Sequence, residues 1–236
     1  GDIRIDHQIT TSTQLTGRYS INNNDENDPN QYPTLGSFPL HSRAQNATIS
    51  LTHVFSPQWV NEARASYYRS YFYFGGTLQG TNFNQQAGVQ GFDNTTSVFS
   101  FPQITVTNYS NFTGSPSDQR PKQNRIRNWQ YADNVSYSSG SHSIKIGAEL
   151  MHQTAAFING SRSTGIFNFV GTYSGDAFAD LLLGYPDSVT RDYFKELNGD
   201  WANFWGFYVQ DSYRATKNLT INAGVHGNIG CTSVDE

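Results

Sequence analysis

Trp205, Phe207 and Val209 alternate with Gly206, Tyr208 and Gln210. A polar turn follows at Ala215-Thr216-Lys217-Asn218. Then Leu219, Ile221, Ala223 and Val225 alternate with Thr220, Asn222, Gly224 and His226. Period-two alternation on both sides of a turn predicts a β-hairpin with one apolar and one polar face. The design recurs upstream. Ile3–Ile9 and Gln14–Ser20 flank Thr10-Thr11-Ser12. Ala47, Ile49 and Leu51 alternate with Thr48, Ser50 and Thr52 ahead of Ser56-Pro57-Gln58, and the chain returns through Val60–Phe74. Trp129, Tyr131, Val135 and Tyr137 lead to Ser139-Gly140-Ser141. The return strand sets Ile144, Ile146, Ala148 and Leu150 against Lys145, Gly147, Glu149 and Met151. Long one-faced hairpins of this kind need either a second apolar layer or lipid against the apolar rows.

The connections are very unequal. Tight turns fall near residues 11, 57, 140 and 216, and the long connections fall between them, on the opposite edge. The run Asn22–Asn30 is polar throughout and predicts a solvated loop. Gly75–Asn124, about 50 residues rich in Gly, Asn, Gln, Thr and Phe, predicts a long loop with short strands at Val98–Phe101 and Ile104–Thr107. Further strands are expected at Ile166–Tyr173 and Val189–Glu196. One helix is expected over Asp176–Leu183, capped by Ser174 or Asp176 and ended by Gly184 before Tyr185-Pro186. Short turns on one edge and long loops on the other predict an all-β, antiparallel up-and-down transmembrane β-barrel. This chain would supply about 8–10 strands of a larger one. The alternative is a secreted, soluble β-sandwich that binds carbohydrate or another ligand. It requires the apolar faces to pack against each other.

Composition fits the first reading. Of 236 residues, 36% are hydrophobic, 14% aromatic and only 14% charged. Neutral polar side chains take the place of charge, as suits a wet lumen and long loops. No run approaches the ~20 apolar residues of a spanning helix. A β-span needs about 9–11 residues, half of them apolar, so a mean hydropathy of -0.58 is compatible with a membrane. The net charge of -4 and the lack of a basic stripe argue against nucleic acid as a partner. The cluster Arg120, Lys122, Arg125 and Arg127 reads as the rim of a strand, with contact to an anionic ligand as the minor alternative. A single cysteine, Cys231, excludes an intrachain disulfide. Gly1-Asp2-Ile3-Arg4 already reads as strand, so an exported parent would make this chain a fragment that begins mid-barrel.

No catalytic constellation, cofactor motif or metal-ligand spacing is legible, so the chain does not read as an enzyme. Glu62, Arg64, Lys145 and Glu149 interrupt otherwise good strands. In a barrel they face the lumen, because an Arg or Lys on the lipid side at mid-bilayer costs about 2–4 kcal/mol. Asp133 and Asp211 fall on the apolar register and are expected at the membrane boundary, near short turns. Trp129, Tyr137, Trp205 and Tyr213 are expected in interfacial girdles. The loop aromatics Phe83, Phe92, Tyr109 and Phe112 are the candidate ligand contacts, able to stack on a sugar, an aromatic chelate or a peptide.

Several segments resemble a known family. Trp205-Gly206-Phe207-Tyr208-Val209-Gln210-Asp211-Ser212-Tyr213-Arg214 with Leu219-Thr220-Ile221-Asn222-Ala223-Gly224 resembles a barrel hairpin of TonB-dependent outer-membrane receptors. Phe55-Ser56-Pro57 with Val60-Asn61-Glu62-Ala63-Arg64 narrows the match, as does Asp133-Asn134 followed by Gly140-Ser141-His142-Ser143-Ile144-Lys145-Ile146-Gly147. With Gly175-Asp176-Ala177-Phe178-Ala179-Asp180-Leu181-Leu182-Leu183-Gly184, the set looks like the Oar-like, acidobacterial type. The resemblance spans residues 1–225. It implies part of a transporter barrel in the outer membrane of a Gram-negative bacterium, with no cofactor. The implied partners are outer-membrane lipid, TonB, a plug domain in the full-length parent and the barrel-assembly machinery. The implied function is import of a scarce nutrient of the siderophore, carbohydrate or peptide class, driven by TonB. The sequence departs from the family in lacking a plug domain, a TonB box and an N-terminal carboxypeptidase-regulatory-like domain, and in supplying fewer strands than the roughly 22 of a full barrel. Residues 226–236 replace the expected continuation and read as an atypical tail or truncation.

Overall fold

A computed structural model of the chain describes residues 1–78, 80–91, 100–113, 119–162, 164–191 and 198–234. Eight long strands form one antiparallel sheet. In spatial order they are β1 (Asp2–Thr10), β2 (Thr13–Pro29), β3 (Ser37–Ser56), β4 (Trp59–Phe74), β6 (Gln119–Ser139), β7 (His142–Ser161), β10 (Asn198–Thr216) and β11 (Leu219–Val234). Each strand neighbours the next wall strand in sequence, and the sheet is not closed between β1 and β11. Three short strands, β5 (Gln103–Val106), β8 (Ile166–Phe169) and β9 (Ser188–Thr190), form a separate small sheet. Two short helices, α1 (Phe83–Gln86) and α2 (Ala177–Leu183), accompany it.

Local chemistry fixes the short-turn edge. At three of the four tight turns a hydroxyl accepts a backbone N–H two residues on: Ser12 N–H to Thr10 Oγ1 (3.2 Å), Gln58 N–H to Ser56 Oγ (3.2 Å) and Asn218 N–H to Thr216 Oγ1 (3.3 Å). Each of these three turns also carries a register irregularity just before it, and such bulges increase local twist. The fourth turn uses Gly140 at φ 58. Each of the first three turns then offers a carbonyl to the following hairpin: Val54 N–H reaches Ser12 O, Ser138 N–H reaches Gln58 O and Arg214 N–H reaches Ser141 O.

The turns descend along the sheet. Thr13, just after the first turn, is in register through His53 with Asn61, two residues past the start of β4. Trp59 pairs with Tyr137, beyond which β6 runs on to Ser139. His142 pairs with Tyr213, beyond which β10 runs on to Thr216. Each hairpin therefore reaches two or three residues further than the one before, close to one residue per strand. One residue of about 3.4 Å over a strand spacing of about 4.8 Å gives a tilt near 35°, within the range for barrel strands.

One face of the sheet is apolar from edge to edge. A single register row reads Gly17, Ile49, Ala65, Tyr131, Leu150, Trp205 and Ile229. These side chains are not covered: Ile49, Phe207 and Val209 stand 51–52% exposed and Val225 78%. That observation overturns the β-sandwich alternative, which needs the same rows buried between two sheets. Apart from Phe38 on β3, the buried apolar side chains among the described residues are Val106 and Phe169 of the small sheet and Ala177 of α2, which form a core flanked by Ile104, Phe167 and Leu181.

Aromatic residues bracket the apolar face. Trp59 and Tyr67 on β4, Trp129 and Tyr137 on β6, and Trp205 and Tyr213 on β10 are each eight positions apart. Trp59 packs on Tyr137 at 4.4 Å near the turns, and Tyr67 packs on Trp129 at 4.3 Å further up. Eight residues at about 3.4 Å, tilted by about 35°, span roughly 22 Å, close to the height of a barrel's apolar band.

Three expectations need correction. Asn22–Pro29 is not an unpaired loop; it extends β2 and pairs with β3 from Asn22↔Ala44 to Pro29↔Ser37. Its side chains stay exposed, so a polar run satisfies its backbone in a ladder while both faces remain in water. Asp133 is not at the membrane boundary. It sits four residues from both Trp129 and Tyr137, mid-band on the apolar face, where Asn61 Nδ2 donates to its Oδ1 at 2.5 Å. Asp211, two residues from Tyr213, does lie near the edge and pairs with His142 Nδ1 at 2.6 Å. Finally, the long loop ends earlier than expected, because Gln119–Asn124 already belongs to β6. At the C-terminal end β11 continues past Val225, pairing with β10 as far as Asp200↔Val234.

Candidate functional site

The long connections all leave the edge opposite the tight turns, and they are tied together. The β4–β6 and β7–β10 connections meet through parallel pairing of β5 with β8, from Gln103↔Ile166 to Val106↔Phe169. Thr105 Oγ1 donates to Asn168 Oδ1 across this pair. Asn84, buried at 5% exposure, donates from Nδ2 to Thr164 O at 2.8 Å. The β2–β3 connection, with a 3-10 turn at Pro33–Leu35, joins them. Asn30 Nδ2 donates to Thr113 O (2.8 Å), and Tyr32 stacks on Phe112 at 4.8 Å. Gly36, at φ 84, lies so close to Thr77 that a Cβ would strike its hydroxyl.

Helix α2 completes this cap. Asp176 is its N-cap and accepts from Phe178 N–H (2.9 Å) and Ala179 N–H (2.8 Å). Gly184, left-handed at φ 73, ends it. Asp180 is 1% exposed and holds the preceding loop: Tyr173 N–H donates to Oδ2 at 3.1 Å and Ser174 N–H to Oδ1 at 2.8 Å. Burial alone would push this carboxyl up. Hydrogen bonds from Ser174, Tyr173 and Gly171 outweigh it and hold Asp180 below the ordinary carboxylate value.

The loop aromatics expected to share a ligand surface do not converge. Phe83 opens α1 and meets Phe101 edge-on at 5.5 Å. Phe112 is taken up by Tyr32 and by backbone pairing with Ile104. Tyr109 remains 56% exposed, with its ring 5.4 Å from Phe178. Phe92 lies outside the described residues. Two exposed aromatic pairs stand on the cap instead: Tyr109 with Phe178, and Tyr173 with Tyr185, whose rings are 5.7 Å apart. Sequence reasoning missed Phe178, Tyr173 and Tyr185 because they sit on a different connection from Tyr109, and the β5–β8 pairing that brings the two connections together has no local signature.

Glu62, Arg64, Lys145 and Glu149 share the face opposite the apolar rows. Arg64 and Glu149 flank Ala132 in one register row and line a depression of about 370 Å³ with Asn134, Met151, Tyr208 and His226. Gln130 Nε2 donates to Glu149 Oε1 at 2.5 Å, and Tyr208 Oη donates to Asn134 Oδ1 at 2.8 Å. The Tyr208 ring lies over Gly147, where any Cβ would overlap it, so a glycine in mid-strand makes room for a large polar aromatic. Among the described residues no three His, Cys, Asp or Glu side chains come together to hold a metal ion.

A staggered one-layer wall with a bare apolar face, aromatic borders and all long connections on one edge defines a segment of a transmembrane β-barrel. The family described as "Outer membrane beta barrel domain" matches residues 1–226, and the chain belongs to that family. Its place is therefore the outer membrane. Among solved structures the chain is similar to the outer membrane transporter YddB from Escherichia coli, with TM-score 0.63 and 8% identity over 98% of this chain and 27% of that one. At that identity the likeness shows the fold alone, and the chain spans about a quarter of the transporter's length. No curated protein matched the sequence.

Proposed function

We propose that this wall belongs to a TonB-dependent transporter that captures a nutrient on its outward cap and passes it inward through the lumen, with no catalytic step in this chain. The gathering of three long connections into one cap on a single edge carries this reading, since an outward cap is where a scarce solute is met. Glu62, Arg64, Lys145 and Glu149 then face the lumen, and the exposed Tyr109–Phe178 and Tyr173–Tyr185 pairs are the capture surface. The plug, TonB and the barrel-assembly machinery are partners of the full-length parent, and outer-membrane lipid surrounds the apolar face. The fit of the segment motifs to Oar-like receptors supports the narrower type. Uptake assays on cells expressing the parent, with TonB present or deleted, test the proposal. Accumulation of a siderophore, oligosaccharide or peptide that vanishes without TonB is the expected result, and uptake indifferent to TonB overturns it.

A further inference from the structure

Cross-strand register gathers four arginines from three strands, β3, β4 and β6. Arg43 pairs with Tyr71, which pairs with Arg125; in the adjoining row Arg69 pairs directly with Arg127. All four lie on the face that carries the apolar rows, and all are exposed. Arg69 is two residues beyond Tyr67 and Arg127 two residues before Trp129, so the patch starts where the upper aromatic border ends. Like charges directly opposite each other destabilise a sheet unless something of opposite charge joins them. Among the described residues none of the four forms an ion pair with a carboxylate. The acidic group in the next row up, Asp25, is engaged by His41 at 2.7 Å. Arg125 is held in place by the Tyr71 ring, 5.9 Å from its guanidinium carbon, and by the Gln123 side-chain oxygen at 2.7 Å. Lys122 of the same sequence cluster lies on the opposite face and takes no part.

We propose that Arg43, Arg69, Arg125 and Arg127 bind the phosphates of glycolipid headgroups in the outer leaflet. Guanidinium groups take phosphate oxygens in bidentate fashion. The patch faces lipid and stands just beyond the apolar band, at headgroup height. It rests on the orientation used above, with the long-loop edge outward. A dianionic headgroup would bridge Arg69 and Arg127 and relieve their repulsion, which explains how a folded wall tolerates the pair.

Native mass spectrometry of the intact membrane protein, equilibrated with phosphatidylcholine vesicles with and without bisphosphorylated lipid A, tests this. The wild type is expected to retain lipid A and to lose it when the lipid is dephosphorylated. R69Q/R127Q should weaken retention on the order of thirtyfold, and R43Q/R69Q/R125Q/R127Q further. R214Q/K217Q, at the tight-turn edge, should leave it unchanged. Heat-modifiable gel mobility identifies folded variants, and the double variant carries the test if the quadruple one fails to fold. Retention unchanged in R69Q/R127Q, equal retention of dephosphorylated lipid, or inorganic phosphate binding as tightly as lipid A overturns the proposal. TonB-dependent uptake with lipid binding indifferent to these arginines sinks this inference alone. TonB-independent uptake with arginine-dependent lipid binding sinks only the transport reading.

Discussion

At the scale of single residues, the two faces of the wall answer to different solvents. Val209 is outward, mid-band and half exposed, while Tyr208 next to it bonds to Asn134 on the other face. Val209→Arg is expected to destabilise the folded barrel by about 2–4 kcal/mol. Met151→Arg, on the polar face beside Glu149, should cost far less, and urea titration in detergent separates the two. Asp133 shows how a polar group is accommodated mid-band: it is tied to Asn61, a second polar residue on the same face. Asp180 makes a different prediction. Its folded pKa is depressed, so the stability it lends is present above the unfolded value of about 3.9 and is lost as pH falls through the folded value. Limited proteolysis should find the Gly171–Gly184 segment protected at neutral pH and cut on strong acidification. In Asp180→Ala it should be cut at every pH.

At the scale of elements, the cap and the wall hold together by unlike means. The wall is a ladder with almost no buried apolar side chain, whereas the cap has a small core of its own around Val106 and Phe169. Val106→Asp should therefore open the cap to protease between β4 and β6 and between β7 and β10, while the wall keeps its heat-modifiable mobility. Loss of both together would show that they fold as one unit. The hairpins, their turns and the α2 helix were legible in the sequence because each is encoded locally. Alternation, a turn hydroxyl or an N-cap Asp followed by a closing glycine lies within a few residues. Three things were not. The pairing of β2 beyond Asn22 has no apolar signature. The β5–β8 contact joins segments some 60 residues apart. The Arg43–Arg69–Arg125–Arg127 patch exists only once register is known, so the sequence showed its β6 members in the company of Arg120 and Lys122 instead. For the same reason Phe83, Tyr109 and Phe112 read as one surface although each packs against a different neighbour.

At the scale of the whole molecule, β1 and β11 present open edges, and one face of the sheet carries uncovered rows of hydrocarbon and aromatic ring. Such edges template association. The isolated 236-residue chain is expected to aggregate in plain buffer and to disperse only in detergent. A monodisperse, folded 26.4 kDa species without detergent would contradict the membrane assignment. The descending line of turns bears on how such a wall grows. Ser12 O, Gln58 O and Ser141 O each stand ready to catch an amide of the hairpin that follows. That contact fixes the newcomer's alignment at the tight-turn end of its strands. A slip of two positions would keep every side chain on its proper face yet leave that waiting carbonyl empty. Pitch is copied from one hairpin to the next, much as a spiral stair takes each riser from the step below.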